Sequence, residues 1–117
     1  MQDKSLHQLR SKIPPDYNIS ADVLEKVRKA IEDETKKTLK FLRAISHPTR
    51  LRILRALRIN ELCVCVLVYL MRMKYSKLSY HLKILKDAGL VEFRKDRNFL
   101  IYKITDLGKK VLKDIEG

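Results

Sequence analysis

The stretch from Ser76 to Ile104 constrains this chain more than any other. Leu78, Leu82 and Leu85 recur at helical spacing, with Ser76, Tyr80, Lys83 and Asp87 on the opposite face, and Gly89 follows as a stop. Leu90-Val91-Glu92-Phe93-Arg94-Lys95 then alternates as a strand does, Asp96-Arg97-Asn98 turns, and Phe99 to Ile104 returns as a second strand. The carboxyl-terminal half is therefore predicted as a helix over about 76–88 feeding directly into a basic hairpin.

The rest of the chain supplies further helices. Residues 1–19 read as a weakly structured, flexible arm, because Pro14-Pro15 breaks any helix begun before it. Ser20 is placed to cap a long helix running to about Ile45. Along it Leu24, Val27, Ile31, Glu34, Thr38, Phe41 and Ile45 follow alternating three- and four-residue steps, a stripe that serves either as a core-facing edge or as a dimer seam. Ser46-His47-Pro48-Thr49-Arg50 restarts the chain, with Pro48 at a first helical position and His47 or Ser46 as cap. Leu51, Ile53, Leu54 and Leu57 carry a short helix that ends at Asn60. Cys63 to about Met71 is almost wholly apolar and predicts a short buried helix, followed by a turn at Met73-Lys74-Tyr75. Thr105 caps a last helix whose inward residues are Val111, Leu112 and Ile115.

This order of elements is the winged helix-turn-helix plan. The predicted fold is mainly α with a small β-hairpin, a long amino-terminal helix and a dimeric assembly, with residues 20–117 forming the DNA-binding domain and its dimerisation helices. A chain of 117 residues supports one modest core, and small domains often gain stability by dimerising.

Charge agrees with that plan. Lysine and arginine number 26 against 14 acidic residues, a net +12, which points to a polyanion, most often nucleic acid and sometimes a membrane surface. Charge alone does not separate this from a solvated face or a hot habitat. The plan places it: the second helix of a helix-turn-helix enters the major groove amino end first. That end carries Lys74, Tyr75, Ser76, Lys77, Ser79, Tyr80 and Lys83, while the hairpin tip carries Arg94, Lys95 and Arg97. We expect double-stranded DNA as partner, with Lys77 and Tyr80 on base edges and Arg97 on phosphate. No run approaches the roughly 18 apolar residues of a membrane span, and the first seven residues hold no apolar signal core. No membrane association is expected, and a cytoplasmic setting is, where thiols stay reduced.

Ala44-Ile45-Ser46-His47-Pro48-Thr49-Arg50-Leu51-Arg52-Ile53-Leu54, Glu61-Leu62-Cys63-Val64-Cys65, the run from Ser79 to Val91 and the hairpin from Arg94 to Tyr102 together resemble the ArsR/SmtB family of arsenic- and metal-responsive repressors. The resemblance covers about residues 39–107. It implies a homodimer that represses its operator until an inducer binds, with Cys63 and Cys65 as a thiolate site on the helix before the recognition helix. Three departures bear on that site. The arsenic-type site often continues with an aspartate and a third thiol, where this chain has Val66 and Val68. A zinc site on the last helix would need a histidine that this helix lacks, and the amino-terminal arm offers His7 but no cysteine. The hairpin tip has Arg97 where glycine is usual, which suggests Asn98 as the left-handed residue of the turn.

The two cysteines are open to two readings. On a continuous helix, side chains at i and i+2 diverge by about 200°, so the pair serves one ion best at a frayed helix start. Thiolates favour soft ions such as arsenite, Cd(II), Zn(II) or Cu(I) as inducer, with no cofactor otherwise required. Two ligands leave Zn(II) under-coordinated, so His7, the other subunit or a small thiol would complete the site. The other reading is two small hydrophobes in an apolar helix, inert or merely oxidisable. The function that follows is an operator-binding repressor whose affinity falls when a thiophilic ion binds at Cys63 and Cys65. The alternatives are a redox-responsive or constitutive regulator and, against its lysine-rich surfaces, a protein-binding winged-helix module. No catalytic constellation stands out, so an enzyme is not expected. Of the histidines, His81 reads as semi-buried and structural, and His47 as a cap.

Overall fold

A computed structural model of the chain describes residues 11–117. The chain divides into two compact units, Met1–Thr35 and Lys36–Gly117.

In the first unit, helix α1 spans Ala21–Glu32 and starts as predicted, with the Ser20 hydroxyl accepting from the Val23 N–H at 3.2 Å. Arg28 is buried along the helix between Glu25 and Glu32 and donates to both. The helix then ends well before Ile45: Asp33 is extended and its N–H bonds to the Lys29 carbonyl. The single helix expected from Ser20 to Ile45 is two. The run Glu32-Asp33-Glu34-Thr35-Lys36-Lys37 offers no apolar side chain whose burial would hold a helix, and Asp and Thr are poor interior helix residues. The stripe splits accordingly, with Leu24 buried and Val27 and Ile31 exposed.

The second unit comprises α2 (Lys36–Ile45), α3 (Pro48–Ile59), β1 (Leu62–Cys63), α4 (Val64–Met71), α5 (Tyr75–Asp87), β2 (Val91–Asp96), β3 (Phe99–Ile104) and α6 (Asp106–Glu116). The caps of α3 and α6 are those read from the sequence. His47 Nδ1 accepts from the Thr49 N–H at 3.1 Å with Pro48 in the first turn, and the Thr105 hydroxyl accepts from the Gly108 N–H at 3.0 Å. Gly89, at φ +77°, stops α5 and turns the chain into β2.

The expected two-stranded ribbon is a three-stranded antiparallel sheet in the order β1-β3-β2. Leu62 lies opposite Tyr102 and Cys63 opposite Ile101, so a two-residue strand covers the open edge of β3. Cys63, expected as the first residue of the helix, closes β1 and caps α4 instead. At the hairpin tip Asp96 faces Phe99, leaving Arg97-Asn98 as the turn. The left-handed residue is Arg97, at φ 58°, and not Asn98.

The core collects the inward faces of all these elements, with Ile53 and Leu54 from α3, Leu67 from α4, Leu78, Leu82 and Leu85 from α5, Leu90 and Val91, Tyr102 and Ile104, and Leu112 from α6. Ile115, expected inward, is 53 % exposed. Gly108 and Leu112, four residues apart, take the inward side of α6; Leu107, Val111 and Ile115 form the neighbouring stripe, which extends beyond the core. No helix of the described residues is long and apolar enough to cross a membrane.

Candidate nucleic-acid interface and thiol pair

Helix α5 stands on α3 and α4 by its leucine face, which turns the opposite face outward. Leu78, Leu82 and Leu85 are buried, and Ser76, Lys77, Ser79, Tyr80 and Lys83 are exposed, as are Lys74 and Tyr75 at the amino end. All seven helix residues singled out from the sequence therefore share the solvent side or the leading end. Lys83 is tied to Asp87 at 3.2 Å. Lys74 and Lys77 have no ion-pair partner among the described residues.

A buried polar contact orients this helix. His81 is 3 % exposed, and its Nδ1 lies 3.0 Å from Arg50 Nη1 on α3. The same guanidinium donates to the Ala44 carbonyl at 2.7 Å and the Arg43 carbonyl at 2.9 Å, so it joins the end of α2 to α5. The His47 ring packs on His81 at 4.6 Å between centroids. Burial, then the charges of His47, Arg50 and Lys77, push His81 below its ordinary pKa, which keeps it neutral with Nδ1 as the acceptor. Sequence reasoning gives Arg50 no role; nothing local separates it from the other arginines of α3, and its partners lie up to 31 residues away.

The wing presents two kinds of cation. Lys95 and Arg97 are exposed and without an ion-pair partner among the described residues. Arg94 is engaged: it donates to Glu61 at 2.7 Å and sits 3.6 Å from Asp96. The hydrogen bond to Glu61 holds the Arg94 guanidinium above its ordinary pKa. Lys103 pairs with Glu92 across the β2–β3 ladder at 3.2 Å.

Cys63 and Cys65 come together because Cys63 precedes the helix. Its backbone is extended, at φ −61° and ψ 143°, which folds its side chain over the first turn of α4, where its sulfur accepts from the Cys65 N–H at 3.2 Å. The Cα atoms are 5.2 Å apart and the two sulfurs form a disulfide, where the sequence leads us to expect free thiols. The physical cause is this cap geometry, which removes the divergence a continuous helix would impose. Beside the pair lies a cavity of about 460 Å³, bounded by Val64, Val68, Tyr75 at the start of α5, and Asn98, Phe99 and Leu100 of the wing. The cavity beside the thiol pair thus borders both elements that carry the exposed cations, the start of α5 and the wing. Among the described residues no group of three or more His, Cys, Asp or Glu is placed to hold a metal. His7, suggested as a third donor, lies outside the described residues.

A model of the family described as "Bacterial regulatory protein, arsR family" matches residues 47–92, from the cap of α3 into β2. The chain is 35 % identical over 74 residues to a transcriptional repressor SmtB homolog of Synechocystis, a match covering 63 % of this chain and 56 % of that protein, a little over half its length. It is 31 % identical over 87 residues to a cadmium resistance regulatory protein CadC homolog of Staphylococcus aureus, covering 70 % and 72 %. Among solved structures, the homodimeric winged helix-turn-helix DNA-binding domain of Mb0332 from Mycobacterium bovis aligns with a TM-score of 0.66 and 26 % identity over 76 % of this chain and 82 % of that one.

Proposed function

Because the chain belongs to the ArsR/SmtB family of winged-helix DNA-binding transcriptional regulators, we propose that it works as a homodimeric repressor whose operator affinity falls when a thiophilic ion binds reduced Cys63 and Cys65. The observation that carries the DNA-binding part is the coincidence of unpaired cations, Lys74 and Lys77 at the head of α5 and Lys95 and Arg97 on the wing. Arg94 and Lys83 belong to the same surface but are held by carboxylates, so they contribute less to phosphate binding than their position suggests. Lys77 and Tyr80 read base edges and Arg97 a phosphate. The dimer is supported by the exposed apolar residues Leu39 and Leu42 on α2 and Leu107 and Ile115 on α6, and by the homodimeric Mycobacterium bovis relative.

The donor set suits a soft ion of low coordination number, with arsenite, Cd(II), Zn(II) and Cu(I) as the inducers to try. Two thiolates fill only half of a zinc shell, so zinc would need donors from elsewhere. An ion held at the start of α4 draws on residues next to Tyr75 and the wing, and it changes DNA affinity only as far as it binds the free and DNA-bound forms unequally. The test is a titration of the reduced protein on its own promoter DNA with each ion, followed by fluorescence anisotropy. Release by one of them in the wild type and not in the C63S/C65S variant supports the reading. Release in both, or in neither, overturns it.

The disulfide itself favours a second reading, in which DNA affinity differs between the dithiol and disulfide forms without any ion. Comparing the two forms on the same DNA, with ions chelated, separates the two.

A further inference from the structure

We infer that Arg72, in the turn between the two helices of the helix-turn-helix, is a DNA-backbone contact, and that together with Arg97 it forms a pair of arginines held in a strained backbone for the sake of their charge. The inference rests on the DNA-binding reading above and adds a residue to it.

Among the described residues two that are not glycine have a positive φ, and both are arginines. Arg72 sits at φ 51° and ψ 48° as the C-cap of α4, and Arg97 at φ 58° in the wing turn. In this left-handed region a β-carbon crowds the backbone carbonyl, so glycine is the least strained residue there, and asparagine and aspartate are the usual exceptions because their short side chains bond locally. Arginine has no such local compensation. Where glycine is needed to end α5, this chain has it, at Gly89.

The side chain of Arg72 returns nothing to the fold that the structure shows. It is exposed, and it has neither a carboxylate nor a carbonyl partner among the described residues. The turn is made by backbone groups: the N–H groups of Arg72 and Met73 both reach the Val68 carbonyl. A glycine would make the same bonds. What a glycine would lack is the positive charge, three residues ahead of Tyr75 and two ahead of Lys74 on the approach to the DNA-facing end of α5. Arg97 repeats the arrangement on the wing, exposed and likewise without an ion-pair partner among the described residues. Strain retained at exposed positions that carry function is a recognised pattern, and phosphate is the anion that both turns would meet.

The experiment compares R72G, R72Q and R72K with wild type, all in the same thiol state, on a duplex carrying the chain's own promoter and on an unrelated duplex, at salt concentrations from about 50 to 300 mM. R72G should raise the thermal midpoint by a few degrees. R72G and R72Q should bind both duplexes more weakly, with a log–log salt slope shallower by about 0.9 per phosphate that is no longer neutralised. R72K should keep the wild-type slope. R72Q decides the matter, because it keeps the β-carbon and the strain while removing the charge. If R72Q has the wild-type slope and affinity, the inference is wrong, whereas a wild type without salt-dependent binding removes the DNA-binding reading itself. An R72G protein that is less stable than wild type would show that the turn gains from the arginine, and would overturn the strain argument.

Discussion

Arg94 in the wing and Glu61 immediately before β1 form an ion pair at 2.7 Å, joining two segments 33 residues apart in sequence. Glu61 leads directly into Leu62 and Cys63, so this wing cation is engaged by the residue just ahead of the strand that carries one of the thiols. On the proposed DNA-binding reading, phosphate competes with Glu61 for Arg94. Removing the carboxylate charge with Glu61→Gln should raise affinity for any duplex by up to about fivefold, the scale of an exposed ion pair. Anisotropy titrations at about 0.1 M salt, where exposed charges are only partly screened, would measure it. A fall in affinity would mean that the pair positions the wing.

His81 ties α5 to α3 through Arg50, and its replacement should be felt in stability. His81→Leu leaves one Arg50 N–H facing an apolar side chain inside the protein, and should cost about 1–3 kcal/mol in chemical denaturation. Full retention of stability would show that the guanidinium finds another acceptor.

The same histidine gives a pH dependence. Burial first, then His47, Arg50 and Lys77, lower its pKa in the folded state, so the unfolded chain takes up its proton at a higher pH than the folded one. Its contribution to stability is therefore complete above the ordinary histidine range. It is lost as pH falls from that range towards the lowered folded value. Denaturation midpoints of the wild type should drop over this window, and those of His81→Leu should drop less. Parallel curves would assign the titration to another group.

Gly108 on α6 faces the core with no room for a side chain. A β-carbon there would run into the Leu90 carbonyl oxygen, and it would sit 2.6 Å from Ile104 Cγ1. Gly108→Ala should destabilise by about 1–3 kcal/mol or more, since backbone has to move, even though alanine is the better helix former. Thermal melts test this directly, and an unchanged or higher midpoint would contradict the packing of α6 on the sheet.

The thiol state should gate any response to ions. Cys63 and Cys65 joined to each other offer no thiolate, so the disulfide form should ignore an ion that releases the reduced form from DNA. For the reduced form, ion affinity should rise with pH as protons are lost. Release of the oxidised protein at the same ion concentration would move the response away from these two residues.

The sequence by itself determined the elements whose signals are local. Leu78, Leu82 and Leu85 at helical spacing, a stop at Gly89 and two alternating runs define α5 and the wing, because burial of one face and the φ freedom of glycine act within a few residues. The caps at Ser20, His47 and Thr105 are legible for the same reason. The outward set on α5, from Lys74 to Lys83, follows once the inward set is known. Tertiary structure decided the rest. Leu62–Cys63 is too short to show an alternating pattern and becomes a strand only because β3 presents an open edge to it. That pairing extends Cys63 and brings its sulfur onto Cys65, which the helical reading could not place. Arg50 meets His81, and Arg94 meets Glu61, across more than thirty residues, and no local preference marks which arginine is buried, which is held and which is free. Such choices are made when distant segments share one core, where the satisfaction of a buried donor or a paired charge outweighs what each residue prefers alone.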